Sequence, residues 1–280
     1  MVVLGVAFTL ISSLLYSFRS SFLRDLGLMN INKPSVTLFF RLFSLPIILA
    51  IFYYSGESLI VTSPVFYAWL SMAILLNLFV SLFQLKLYQR HFLSTIESQK
   101  FLGVLFASIG GYYLFYEILG TREIVGIIVL ITAFIIMFLL DSNRKIHFDV
   151  IFYYFLLTCV DIINRQTIRS SSPLIFSVYI TVAMIFSNYL FALFRGQKIY
   201  QLTDNKINTR LLITGVISAF AIIGTSYGYK YLPVGLVVTL LSTQTFFSLG
   251  LSHFKHKESN LFPKVVTASI AFLGIVSIFL

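Results

Sequence analysis

Apolar residues in this chain run in long unbroken stretches, not in the alternating or three-to-four-residue rhythm of a soluble fold. Ten stretches approach the roughly 20 apolar residues that a bilayer-spanning helix needs. They are 2–18, 35–54, 65–85, 92–116, 124–140, 150–168, 174–194, 211–229, 234–254 and 263–280. Strands of a membrane barrel would alternate in segments of about ten residues, and these do not. The pattern predicts an all-α integral membrane protein with ten transmembrane helices. The longest polar connection lies at about 195–210, so no stretch is left for a soluble domain. The first stretch has neither a basic flank nor a small-residue cleavage site, and it is expected to remain as a span.

Composition agrees with the pattern. The chain is 58% hydrophobic and 11% charged, against about 25% charged in soluble domains. Its net charge of +10 does not call for nucleic acid, because almost every Lys and Arg lies between spans. Loops after odd-numbered spans hold fourteen of them, including Arg19, Arg24 and Lys33. Loops after even-numbered spans hold four, namely Arg122, Arg165, Arg169 and Lys230. That asymmetry puts the odd loops in the cytoplasm and both termini outside. The single cysteine, Cys159, excludes an internal disulfide and thiolate metal clusters. His91, His147, His253 and His256 are read as unclustered, the last two flanking the basic turn "HFKHK", and no metal site is expected. There is no phosphate loop, metal-ligand spacing or nucleophile elbow, so the chain does not read as an enzyme, and no cofactor is expected.

The chain also repeats. With Tyr88 set on Tyr229, Glu117 falls on Glu258, Val125 on Val266, Phe138 on Phe279 and Leu139 on Leu280, without a gap. Pro34 pairs with Pro173, and Arg24 with Arg169, after a slightly different loop. The halves are 1–141 and 142–280, with five spans each. An odd number of spans inverts the second half relative to the first, the arrangement of secondary transporters whose substrate site lies near the midplane.

Three segments carry a family resemblance: "KPSVTLFFRLF" (33–43), "LFYEILGTREIVGIIVLITAFIIMFLL" (114–140) and "FKHKESNLFPKVVTASIAFLGIVSIFL" (254–280). They resemble the ten-helix EamA-type branch of the drug/metabolite transporter superfamily, over essentially the full length. Gly103 and Gln244 stand where many members carry proline in the fourth and ninth helices. The resemblance implies a secondary-active transporter or exporter of a small polar metabolite, in the plasma (inner) membrane of a prokaryote. It also implies both termini inside, against the charge count, which belongs to this sequence and is preferred. A lipid-precursor flippase and a non-transporting assembly or sensor protein are the alternatives. Expected partners are the bilayer and a small-molecule substrate, with a homodimer left open.

Candidate substrate or coupling residues are the polar groups deep in spans, which must face the bundle interior. On the fourth span Glu97 and Lys100 share a face with Val104, Ala107, Ser108 and Gly111. They read either as a cavity pair or as a self-satisfied pair with Lys100 snorkelling to the headgroups. On the sixth span Asp161 stands one turn before Arg165, the favourable order for an ion pair, with a cavity role equally open. Arg41 either snorkels or binds an anionic group. Gln84 and Tyr88 are repeat partners of Thr225 and Tyr229, and the tyrosines read as interfacial belt residues or as ligand contacts. The amide of Gln244 needs a partner in a cavity or on another helix. Glu117 and Glu258 read as turn residues, and Gly224 and Gly228 as packing positions. Acid and base together lean toward an amino acid, another zwitterion or an anion, and a carboxylate in the cavity suits proton coupling.

Overall fold

Three helix starts follow directly from the sequence. The side chain of Asn32 accepts a hydrogen bond from Ser35 N at 2.8 Å, with Pro34 in the first turn. Ser172 caps Ile175 N ahead of Pro173, and Asp204 caps Lys206 N and Ile207 N. Each oxygen satisfies a donor that the first helical turn leaves free. The computed structural model describes residues 1–29, 31–91, 93–116, 120–140, 147–200, 202, 204–256, 266, 269–270 and 273–274. Among them lie α1 (Val2–Gly27), α2 (Lys33–Ser55), α3 (Pro64–Arg90), α4 (Leu93–Ser98), α5 (Phe101–Phe115) and α6 (Thr121–Leu140). These are followed by α7 (Phe148–Arg169), α8 (Pro173–Phe194), α9 (Asn205–Tyr231), α10 (Val234–Ser242) and α11 (Gln244–His256). Among the described residues six segments are long and apolar enough to cross a bilayer: α1, α2, α3, α8, α9 and Val234–Leu251. The described residues are all-helical, and the chain is a multi-pass integral membrane protein. Glu117, Glu258 and most of the predicted tenth span lie outside the described residues.

Two expectations about the spans need correction. The first helix does not end at residue 18 but runs to Gly27, so Arg19 and Arg24 belong to it and not to a loop. Protein partners replace water along that extra length: Asp25 bridges Arg210 at 3.1 Å, and Gln89 donates to the Gly27 carbonyl at 2.7 Å. The fourth and ninth spans, read as continuous, are each broken. Between α4 and α5 the backbone bonds shorten to a three-residue step, Lys100 N to Glu97 O and Gly103 N to Lys100 O. Between α10 and α11 the same happens at Thr243 N to Leu240 O and Phe246 N to Thr243 O. A tight turn of this kind inside a helix redirects the axis and frees carbonyl groups. Neither break carries a proline.

Polarity is arranged inside out. On α1, Ser12, Ser13, Ser17 and Ser20 are buried while Leu4, Ile11 and Phe18 are exposed. In a bilayer small hydroxyl residues hold helices together, since lipid is as apolar as leucine. Accordingly α1 packs along α9, α3 along α7, and α2 against both α8 and α9. Gly224 and Gly228 of α9 do act as packing positions, facing Ser12 and Thr9. At Gly215 a methyl group would stand 2.6 Å from the Phe40 carbonyl of α2, closer than any side chain permits. Helix limits recur at the offset that sets Tyr88 on Tyr229. Helix α3 starts at 64 and ends at 90, and α9 starts at 205 and ends at 231.

Candidate functional site

The two helix breaks meet each other inside the protein. Lys100 Nζ donates to Gln244 Oε1 at 2.8 Å and to the Leu241 carbonyl, in the last turn of α10, at 3.3 Å. The Gln244 amide nitrogen donates to Ser20 Oγ of α1 at 2.9 Å and reaches Glu97 Oε1 at 3.4 Å. Thr245 donates to Glu97 Oε2 at 3.3 Å, and Lys100 and Glu97 are 3.9 Å apart. Ser13 of α1 bonds Thr243 at 2.7 Å. Tyr154 of α7 holds the Ile96 carbonyl at 3.1 Å on the other side. Glu97 and Lys100 are 3% and 8% exposed. The snorkelling reading of Lys100 is therefore excluded, because the lysine is held by protein acceptors and not by headgroups.

This junction forms one wall of a central cavity of about 180 Å³. Drug-sized ligands occupy pockets of roughly 300–1,000 Å³, so the space suits a small metabolite. Eight of the nine sequence candidates line it: Glu97, Lys100, Asp161, Arg41, Gln84, Tyr88, Tyr229 and Gln244. Arg165 does not. It is buried off the cavity, near Arg169 and Tyr229. Of the two readings of Asp161, the cavity role has support, and an ion pair with Arg165 is not among the described ones. Asp161 instead sits beside Tyr229 and within electrostatic reach of Lys100. Side chains one turn apart share a face only loosely, and here Tyr229 neighbours both.

The tyrosines and Arg41 also depart from their interfacial readings. Tyr88 and Tyr229 are 3% and 2% exposed, deep in the bundle and not in a belt, and Gln84 donates to the Tyr88 hydroxyl at 2.8 Å. Arg41 is 6% exposed and does not snorkel. Its guanidinium lies 5.6 Å from the Phe40 ring centroid, and Arg19 stacks on the same ring at 5.1 Å and on Tyr16 at 5.4 Å. Such stacking holds a guanidinium by its face and leaves its N–H edge available. No carboxylate bridges either arginine among the described residues, and the Nε of each is buried without a hydrogen-bond partner. Tyr16 stands within reach of Arg19, Arg41 and Asp161 alike. The cavity thus has a cationic side and an acidic side around one phenol.

Sequence reasoning missed Arg19, which had been read as a loop residue. It also missed Asn77 and Asn164, whose 3.2 Å amide bond joins α3 to α7 at the cavity. Both asparagines are polar residues within spans, the signal used for the others. A second correction concerns histidine: His91 and His147 do come together, with Asp149, away from this cavity.

Comparison with known proteins bears on the family and the fold. Residues 150–280 match the model of the EamA-like transporter family. The resemblance seen in the sequence is borne out over those residues, which supply Asp161, Tyr229 and Gln244 to the cavity. A solved structure titled only "Crystal structure of protein" superposes on the chain with a TM-score of 0.76, at 11% identity, covering 97% of this chain and 96% of that one. At that identity the likeness concerns the fold alone. A search of curated proteins finds no match.

Proposed function

We propose that the chain is a secondary-active transporter that moves a small polar metabolite with an anionic group, an amino acid or other zwitterion included, by alternating access. The observation that carries this reading is the polar cavity set between two broken helices in an apolar bundle. Interrupted helices at corresponding places in two halves mark the substrate site of such transporters. In this reading residues 1–141 and 142–280 form ten helices as two inverted five-helix repeats. The recurring helix limits support it, as does the exchange of partners: α1 lies on α9 as α7 lies on α3. Arg19 and Arg41 receive the carboxylate or phosphate, since their stacked guanidinium groups present paired donors. Asp161 receives a cationic group or exchanges a proton with it. The protein sits in the plasma membrane of a prokaryote, with the odd-numbered loops in the cytoplasm.

The test is flux through the purified chain in liposomes against a panel of labelled amino acids, carboxylates, phosphorylated metabolites and fluorescent lipids. Saturable flux of an anionic or zwitterionic solute, abolished by Arg41→Ala in a folded protein, is the expected result. Lipid scrambling without solute flux would establish a flippase instead. Absence of both would refute transport.

A further inference from the structure

A second cluster of chemically capable side chains lies where the end of α3 meets the start of α7. His91 follows the last turn of α3 with extended backbone, φ −123° and ψ 153°. His147 precedes α7, and Asp149 stands in the first turn of α7. His91 Nε2 is 2.8 Å from Asp149 Oδ2. The imidazole rings of His91 and His147 are tilted together, with centroids 4.5 Å apart. One ligand atom from each of the three residues lies within 4.8 Å of the others. None of the three lines the central cavity.

A structural explanation accounts for only part of this. The His91–Asp149 bond alone clamps α3 to α7, and Val150 N donating to Asp149 Oδ1 at 3.0 Å fixes the carboxylate. His147 adds nothing to that clamp. Its side chain makes no capping bond to α7, although it occupies the N-cap position. What it does add is a second imidazole beside the first, facing the same carboxylate.

We propose that His91, His147 and Asp149 form a site for a divalent first-row transition-metal ion, with Zn²⁺ the probe that fits best. Two imidazoles and a carboxylate are a donor set that such ions take, with remaining positions open to water. Ligand atoms bound at about 2.0–2.2 Å to one tetrahedral ion lie roughly 3.3 Å apart. The widest separation here exceeds that by only about 1–2 Å, within the swing of a half-exposed imidazole. The site needs no cysteine, which is why a search for thiolate patterns passes over it. It joins residues from the two halves of the chain, on the side that the charge count assigns to the cytoplasm. A bound ion ties α3, and with it the start of α4, to α7, the helix of Asp161.

The test uses the purified full-length chain in detergent, stripped of metal by a chelator and titrated with Zn²⁺ in a calorimeter. One equivalent should bind. His147→Asn leaves the His91–Asp149 bond in place, so folding should persist, and it should weaken binding about 100-fold or more, at or above the 10–100-fold attached to outer-sphere partners. Asp149→Asn should do the same. Co²⁺ should give visible d–d absorption in the parent and lose it in both variants. Absence of saturable binding would overturn the proposal. So would parental affinity in His147→Asn, or loss of the equivalent only when His253 and His256 are both changed to Ala.

Discussion

Replacing Lys100 by methionine removes the centre of the junction between the two helix breaks. Glu97, 3% exposed, would keep only its contacts with Thr245 and the Gln244 amide nitrogen, at 3.3 and 3.4 Å. Leaving one partner of a buried ion pair without the other costs about 3–5 kcal/mol. Glu97→Gln should cost a similar amount by stranding the lysine. The double variant carries no charge at all. It loses chiefly the two acceptors of Lys100, Gln244 Oε1 and the Leu241 carbonyl, at about 1 kcal/mol each. It should therefore be more stable than Lys100→Met by about 1–3 kcal/mol, the difference between those two costs. Unfolding of the four proteins in mixed micelles of rising SDS fraction, followed by far-ultraviolet circular dichroism, measures this. Losses in the double variant equal to the sum of the two single losses would refute the coupling, as would single changes without effect. The double variant also separates structure from transport. If it folds and transports at the parental rate at every pH, the pair is a structural fixture; lost flux or a changed pH profile assigns it to the transport path.

Asp161→Asn should abolish flux while leaving the protein folded, because Arg165 is not its described counter-ion; a folded variant with parental flux would remove Asp161 from the mechanism. The orientation can be read with reporter fusions at Leu280. A reporter active only in the cytoplasm should be silent there, and an active one would reverse the topology. The helix limits place all four residues of the smaller group, Arg122, Arg165, Arg169 and Lys230, within helices, while Arg195 and Lys198 of the larger group stand between α8 and α9, so the asymmetry keeps its sign.

Much of the fold was legible because a bilayer imposes long apolar runs, and the structure places helices in every run that the described residues cover. What the sequence hid was where charge does not mean water. Arg19, Arg24 and Asp25 look like a loop, yet they continue α1 because Arg210, Phe40 and Tyr16 stand where solvent would be. The helix breaks were equally hidden. Gln99, Lys100 and Thr243 are not helix breakers by themselves. Each break is held by groups distant in sequence, Ser13 and Ser20 from α1 and Tyr154 from α7, which no local window contains. The candidate site was readable to the extent that a polar residue in oil must face inward. Spacing alone left open whether Asp161 pairs with Arg165 or faces the cavity, and the structure places it at the cavity beside Tyr229.

The contact between Lys100 and the Leu241 carbonyl has a kinetic side. The lysine adds a donor to the last turn of α10 in the opposite half, beside Ser13 and the turn's own backbone N–H, acting as a detachable end-piece. Any motion that parts α4 and α5 from α10 and α11 must pull that end-piece away, and water or solute must then take over the Gln244 amide oxygen. In the transporter reading a solute that supplies a hydrogen-bond donor there lowers the barrier, whereas an empty cavity leaves it at full height. The loaded protein would then change shape faster than the unloaded one, which favours exchange of one solute molecule for another over slippage of the empty carrier.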